Sequence, residues 1–187
     1  MSSVTNSPKA LRVDAQRNRD AIVAAAKSVL AEAGADAPID GVLRAAGVGR
    51  GTFYRHFPTR ESLFVAVLED QVEALKARAD ELQDGPVSWD GLADWLTRYD
   101  RSASAYSGLS AQVAAGLADH ESPVAQACAP MKRSFSRLLR RAQQAGLVRG
   151  DLTAQQLLTL VSELPKDQRT PTTTSVYLQV VLDGLRR

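Results

Sequence analysis

Residues 50–56 read Arg-Gly-Thr-Phe-Tyr-Arg-His and are followed by Phe57. At helical spacing Phe53 and Phe57 point toward a core, while Arg50, Gly51, Thr52, Tyr54, Arg55 and His56 are exposed. The exposed set suits one kind of chemistry. Arginine takes guanine edges or phosphates, threonine a thymine methyl or a phosphate, tyrosine and histidine phosphate oxygens, and glycine permits close backbone approach. Reading them as incidental surface residues would have to explain an aromatic, a cation and an imidazole side by side. Catalytic patterns are missing: the chain has no G-x-S-x-G, P-loop or H-E-x-x-H, so no enzyme is expected. With His56 and His120 as the two histidines and Cys128 as the single cysteine, no metal, cofactor or internal disulfide is expected either. Cys128 reads as a small apolar filler.

The elements that must position residues 50–56 are legible on either side. Asp14 is a good N-cap for a first helix with Ile22, Ala25, Ala26, Val29 and Ala33 on one face, ending at Gly34. Pro38 suits the start of a second helix, Ile39 to Ala46, whose inner face is Ile39, Val42 and Leu43. Gly47 can take the left-handed conformation that ends it, and Val48 plugs the corner. A third short helix follows at once, carrying Arg50 to His56. Two helices joined this tightly meet at about 90 to 120°, so the second projects and can enter a DNA major groove. Ile39, Val42, Gly47, Val48, Phe53 and Phe57 are therefore scaffold, needed to fold the three helices whatever they bind.

Apolar residues recur at three and four positions through nearly all of the chain, which predicts an all-α protein. A fourth helix after Pro58-Thr59 carries Leu63, Phe64, Val67, Leu68, Val72 and Leu75 and is broken by Asp84-Gly85-Pro86. Trp89, Leu92, Leu96 and Tyr99 share a further helical face. A long helix places Met131, Phe135, Leu138 and Ala142 inward and Lys132, Arg133, Arg137, Arg140 and Arg141 on a face expected to be solvated. Thr153-Ala-Gln-Gln156 is a capping box. The last helix is apolar over more of its circumference than one core contact requires, so it calls for a second partner. Through Arg60 there are nine Lys or Arg against five Asp or Glu, so the basic end faces a polyanion although the whole chain is only +2. No run reaches the ~18 apolar residues of a membrane span, and a soluble, cytoplasmic protein is expected.

Ala45 to Phe64, AAGVGRGTFYRHFPTRESLF, resembles the TetR family of transcriptional regulators, whose N-terminal module shows AAGVS-x-G-x-x-Y-x-HF followed by a basic residue and a leucine. The resemblance covers about residues 14–74 and rests on AAGV, Gly51-Thr52, Tyr54, His56-Phe57 and Arg60. It implies that Arg50, Gly51, Thr52, Tyr54, Arg55 and His56 form the recognition helix, that Arg60 touches phosphate, and that Arg17 and Arg19 add backbone contacts. Gly49 departs from the usual Ser, Pro38 from Thr and Leu43 from a small Ala; these put the operator sequence in doubt more than the activity. The expected architecture is a disordered tail over 1–13, a helix-turn-helix DNA-binding domain over 14–60 with the TetR-type module extending to about 74, and a helical regulatory and dimerisation domain over 61–187.

On that resemblance the second domain binds an unknown small-molecule effector and makes a homodimer. Trp89, Trp95, Tyr99, Tyr106, Gln112, Met131 and Phe135 are the pocket candidates, with the alternative that they are simply core. Leu157, Val161, Leu164, Leu178, Val181, Leu182 and Leu185 are the dimerisation candidates, in a four-helix bundle formed by two chains. The expected partner is a double-stranded DNA operator, near-palindromic because a dimer carries two recognition helices one turn apart. Repression relieved by the effector is the family's usual mode. A helical dimeric scaffold that has lost DNA binding is the alternative.

Overall fold

The computed structural model describes residues 8–34, 36–104, 121–165 and 175–187. They form eight helices: α1 (Pro8–Ala33), α2 (Ile39–Ala46), α3 (Arg50–His56), α4 (Arg60–Asp84), α5 (Trp89–Ser104), α6 (Pro123–Gln144), α7 (Ala154–Ser162) and α8 (Val176–Leu185). The all-α expectation is met. Among the described residues no helix is long and apolar enough to cross a membrane.

Two apolar cores share one helix. The first gathers Ile22, Ala26 and Leu30 of α1, Val42 and Leu43 of α2, Phe53 of α3, Phe57, and Leu63, Phe64, Ala66 and Val67 of α4. The second begins further along α4 with Leu75 and Ala79 and takes in faces of α5, α6, α7 and α8. Leu68 packs against both. The first core therefore ends inside α4, because a helix of 25 residues is long enough to bury one end in each core.

α1 differs from expectation at its start. It begins at Pro8, so residues 8–13 are helical where a disordered tail was expected. Proline fits a first helical turn, and Lys9-Ala10-Leu11-Arg12 are all good helix formers. Residues 1–7 of that tail lie outside the described residues.

The helix ends follow local chemistry. Gly47 at φ 66° ends α2, its N–H donating to the Arg44 carbonyl while Val48 N–H donates to Leu43. Gly146 at φ 71° ends α6 in the same way, with Gly146 and Leu147 donating to Gln143 and Ala142. This paired pattern satisfies the carbonyls that a helix end leaves open, and it needs a residue without a β-carbon at the turn. At the start of α7 the capping box forms: Gln156 N–H donates to Thr153 Oγ1 at 3.2 Å, and Thr153 N–H to Gln156 Oε1 at 2.9 Å. A second box opens α4, with Ser62 N–H on Thr59 Oγ1 at 3.1 Å and Thr59 N–H on Ser62 Oγ at 3.3 Å.

The basic side of α6 is not wholly solvated. Arg133 and Arg140 are exposed, but Arg137 and Arg141 turn onto α4. Arg137 donates to Asp80 and Gln83 at 3.1 and 3.0 Å. Arg141 donates to the carbonyls of Gln83 and Gly85, the latter at 3.1 Å. Arg141 thus serves the open carbonyl end of α4, and both arginines pin α4 to α6.

Candidate nucleic-acid interface

α3 is only seven residues long, too short to hold its shape alone, so its orientation comes from packing. Phe53 and Phe57, 0% and 2% exposed, plug it into the first core with their rings 5.9 Å apart. Val42 is equally buried, and Ile39 and Val48 are half-buried beside them. Gly49 precedes α3 in extended conformation, φ −79° and ψ 158°, and supplies no side-chain cap.

Anchoring Phe53 and Phe57 turns the remaining residues outward. Tyr54 is 51% exposed and meets the Phe53 ring edge-on at 5.2 Å. Arg50, Gly51 and Arg55 are exposed, Thr52 and His56 half-exposed. Nothing lies within 4 Å of where a Gly51 β-carbon would be, so the chain itself does not require glycine there. Arg55 Nε donates to the Gly51 carbonyl at 3.2 Å, laying the guanidinium along its own helix. Arg50 Nη2 reaches both carboxylate oxygens of Asp40, at 2.7 and 2.9 Å. Asp40 lies on α2, ten positions earlier, and no periodic pattern in the sequence singles it out.

The three flanking arginines behave differently from one another. Arg17 is well exposed on α1, 3.9 Å from Asp14. Arg19 is an internal strut: its guanidinium pairs with Glu69 of α4 at 3.2 Å and lies over the Phe57 ring at 5.7 Å. Arg60 is also drawn inward, donating to the Ala37 carbonyl at 2.7 Å and lying over Phe64 at 5.4 Å. Both were expected at phosphates. In the structure each guanidinium braces α4 against another part of the module, because an arginine stem half-buried against an aromatic face finds its partners there.

The second domain separates the other two sets of candidates. Trp95, Tyr99, Met131 and Phe135 are buried in the core of this domain. Trp95 stacks on Phe135 at 4.1 Å and on Tyr99 at 5.6 Å, and its indole N–H is taken by the Leu75 carbonyl at 2.8 Å. Burial pushes the Tyr99 phenol above its usual range, so it stays neutral. Trp89 is half-buried beneath the Arg186 guanidinium. Tyr106 and Gln112 lie outside the described residues. An open depression on this domain is lined by Arg149, Gly150, Asp151, Gly184, Arg186 and Arg187, none of them a pocket candidate.

Of the dimerisation candidates, Leu157, Val161, Leu178, Leu182 and Leu185 are buried within the protomer, while Leu164 and Val181 are half-buried against its core. These side chains hold α7 and α8 to their own chain. The exposed apolar residues of the same helices are Leu160 at 46%, Val176 at 69%, Tyr177 at 46% and Val180 at 68%. Apolar content alone does not say which side of a helix the protomer itself buries.

Comparisons with known proteins bear on this arrangement. Residues 22–67 match the family model described as bacterial regulatory proteins, tetR family, and residues 89–187 match that described as transcriptional regulator SbtR-like, C-terminal domain. Among solved structures, the TetR transcriptional regulator SCO0520 from Streptomyces coelicolor is 31% identical with a TM-score of 0.59, over 90% of this chain and 98% of that one. The TetR transcription regulatory protein from Mycobacterium vanbaalenii is 33% identical with a TM-score of 0.56, over 95% and 99%. FadR from Bacillus subtilis, solved with stearoyl-CoA, shares the fold at 17% identity and a TM-score of 0.60, over 89% and 99%. No curated protein sequence matches the chain significantly. With both of its domains matched, and with relatives 31% and 33% identical covered nearly end to end, the chain belongs to the TetR family of DNA-binding transcriptional regulators.

Proposed function

We propose that the chain works as a homodimeric repressor on a near-palindromic operator and is released by a small molecule. The observation that carries the DNA part is α3 itself: its Phe53 and the Phe57 that follows it are sunk in the core while Arg50, Gly51, Tyr54 and Arg55 stand exposed. In this reading α3 enters the major groove, with Thr52 and His56 at its edges and Arg17 of α1 reaching the backbone. Arg19 and Arg60 hold the module together as well as adding positive charge beside the groove.

Dimerisation is supported by Leu160, Val176, Tyr177 and Val180, exposed large apolar residues on α7 and α8. A face of this kind, repeated by a two-fold axis, makes a self-complementary four-helix contact. The two copies of α3 then lie about 34 to 36 Å apart, one turn of DNA, which is why the operator is near-palindromic. The effector binds against α5 and α6, with Trp95, Tyr99, Met131 and Phe135 as its apolar backing, and lowers operator affinity by binding more tightly to the form that cannot engage both half-sites. FadR from Bacillus subtilis, solved with stearoyl-CoA, supports a ligand in a domain of this fold. The relatives are transcriptional regulators, and we read this chain too as a binding protein and not an enzyme, working in the cytoplasm where the DNA is.

Selection of bound fragments from random DNA tests this reading. It should return a two-fold symmetric site, with affinity that falls steeply as salt rises. Tyr54→Ala and Arg55→Ala should abolish specific binding while leaving the fold intact. Operator binding retained by both variants would refute the placement of the recognition helix.

A further inference from the structure

Arg50 is the first residue of α3, and in a helix-turn-helix the first residues of the recognition helix are the ones that meet base edges. Asp40, in the first turn of α2, holds that guanidinium by a single nitrogen, Nη2, to which both carboxylate oxygens lie within 2.9 Å. The donors on Nε and Nη1 are left for an acceptor outside the protein. The two side chains are 69% and 59% exposed, so the pair does little for the stability of the fold. A carboxylate on a surface that faces a polyanion also weakens binding to any DNA. Its place here makes sense if it does something else.

We propose that Asp40 is a positioning residue for Arg50 and sets the base specificity of α3, an inference that rests on the DNA-binding reading above. An arginine has four rotatable bonds, and an exposed one is free to fall onto the nearest phosphate, which carries no sequence information. Tethering Nη2 to the neighbouring helix limits the guanidinium to one direction and neutralises its charge toward phosphate. What remains is a donor edge aimed at the groove. Asp40 thereby gives up general affinity and sharpens the choice of base.

A second role for Asp40 is visible: an acid in the first turn stabilises α2 through the helix dipole. The two roles separate experimentally. The full-length protein, Asp40→Asn, Arg50→Ala and the double variant are measured against the selected operator, against duplexes altered at single positions, and against a scrambled duplex, across a range of salt. Asp40→Ser serves as a second variant at this exposed site. Asp40→Asn should cut the preference at one base pair per half-site about 5- to 100-fold, the range that one good arginine–base contact provides. It should tighten binding to the scrambled duplex about two- to fivefold and steepen its salt dependence by about 0.9 per protomer. Arg50→Ala should lose preference at the same base pair, and in that background Asp40→Asn should change nothing further there. An unaltered preference in Asp40→Asn and Asp40→Ser, or a loss that persists without Arg50, would overturn the inference alone. Failure of the unsubstituted protein to select any sequence would overturn the DNA-binding reading and this inference with it.

Discussion

Gly47 and Gly49 stand two positions apart in the turn that aims α3, and serine at each should have opposite effects. Nothing lies within 4 Å of a β-carbon at either position, so steric contact decides neither outcome. The backbone does. Gly47 sits at φ 66°, where an L-residue other than glycine is strained by about 1 to 2 kcal/mol. Losing the glycine's freedom in the unfolded chain returns about 0.4 to 1 kcal/mol. Gly47→Ser should therefore destabilise the protein by about 1 kcal/mol. Gly49, at φ −79° and ψ 158°, is already in the conformation a serine N-cap adopts. Gly49→Ser keeps the unfolded-state gain and adds a few tenths of a kcal/mol from a hydroxyl that accepts from the first turn of α3, so it should stabilise by about 1 kcal/mol. The two variants should differ by about 2 kcal/mol, or roughly 4 to 8 °C in Tm for a chain of this size. Urea unfolding and thermal melts at one protein concentration measure this, the concentration being held because the stability of the dimer proposed above would depend on it. Equal stability of the two variants, or a Gly47→Ser protein as stable as the original, would refute the argument from backbone conformation.

Three further outcomes are expected. Trp95→Phe should destabilise by about 2 kcal/mol in urea titration, because it empties part of a fully buried site and removes the hydrogen bond to the Leu75 carbonyl; a change under 0.5 kcal/mol would mean the stack is loose. Val180→Glu should shift the protein toward monomer in sedimentation while leaving its helicity intact, since Val180 is 68% exposed in the protomer; an unchanged dimer would exclude this face. The Asp151 carboxyl, hydrogen-bonded and paired with Arg149, should titrate at about 2 instead of 3.8. Its folded value is depressed, so any stabilisation is present above 3.8 and is lost as pH falls through about 2; an NMR titration of that carboxyl showing an ordinary value would refute the pairing.

How much of this was legible beforehand varies with the range of the interaction concerned. Helix identity and helix ends depend on neighbours within about four residues, so Gly47 as a left-handed terminator and Thr153 with Gln156 as a capping box could be read directly. The Thr59 and Ser62 box was open to the same reading but uses serine in place of the usual Glu or Gln. Phe53 and Phe57 pointing inward, and hence Arg50, Tyr54 and Arg55 pointing out, follow from helical period alone.

What the sequence could not determine is which long side chain meets which partner across the fold, because an arginine looks the same whether it faces solvent, DNA or another helix. Arg19 and Arg60 carry the right charge for phosphate, yet tertiary packing lays them over Phe57 and Phe64 with partners at Glu69 and Ala37. Arg137 and Arg141 were placed on a solvated face and instead hold the end of α4. Leu157 and Leu178 could have served either the protomer or a second chain, and only the assembled protomer shows them buried while Leu160 and Val180 remain outside. Asp40 and Arg50 lie on different helices, and only the angle at which Gly47 joins those helices brings a carboxylate within 2.9 Å of the guanidinium. Local chemistry in the sequence thus determined that a short helix stands here with Phe53 inward and Arg50, Tyr54 and Arg55 outward, and the tertiary structure decided which charges on and around it have partners within the protein.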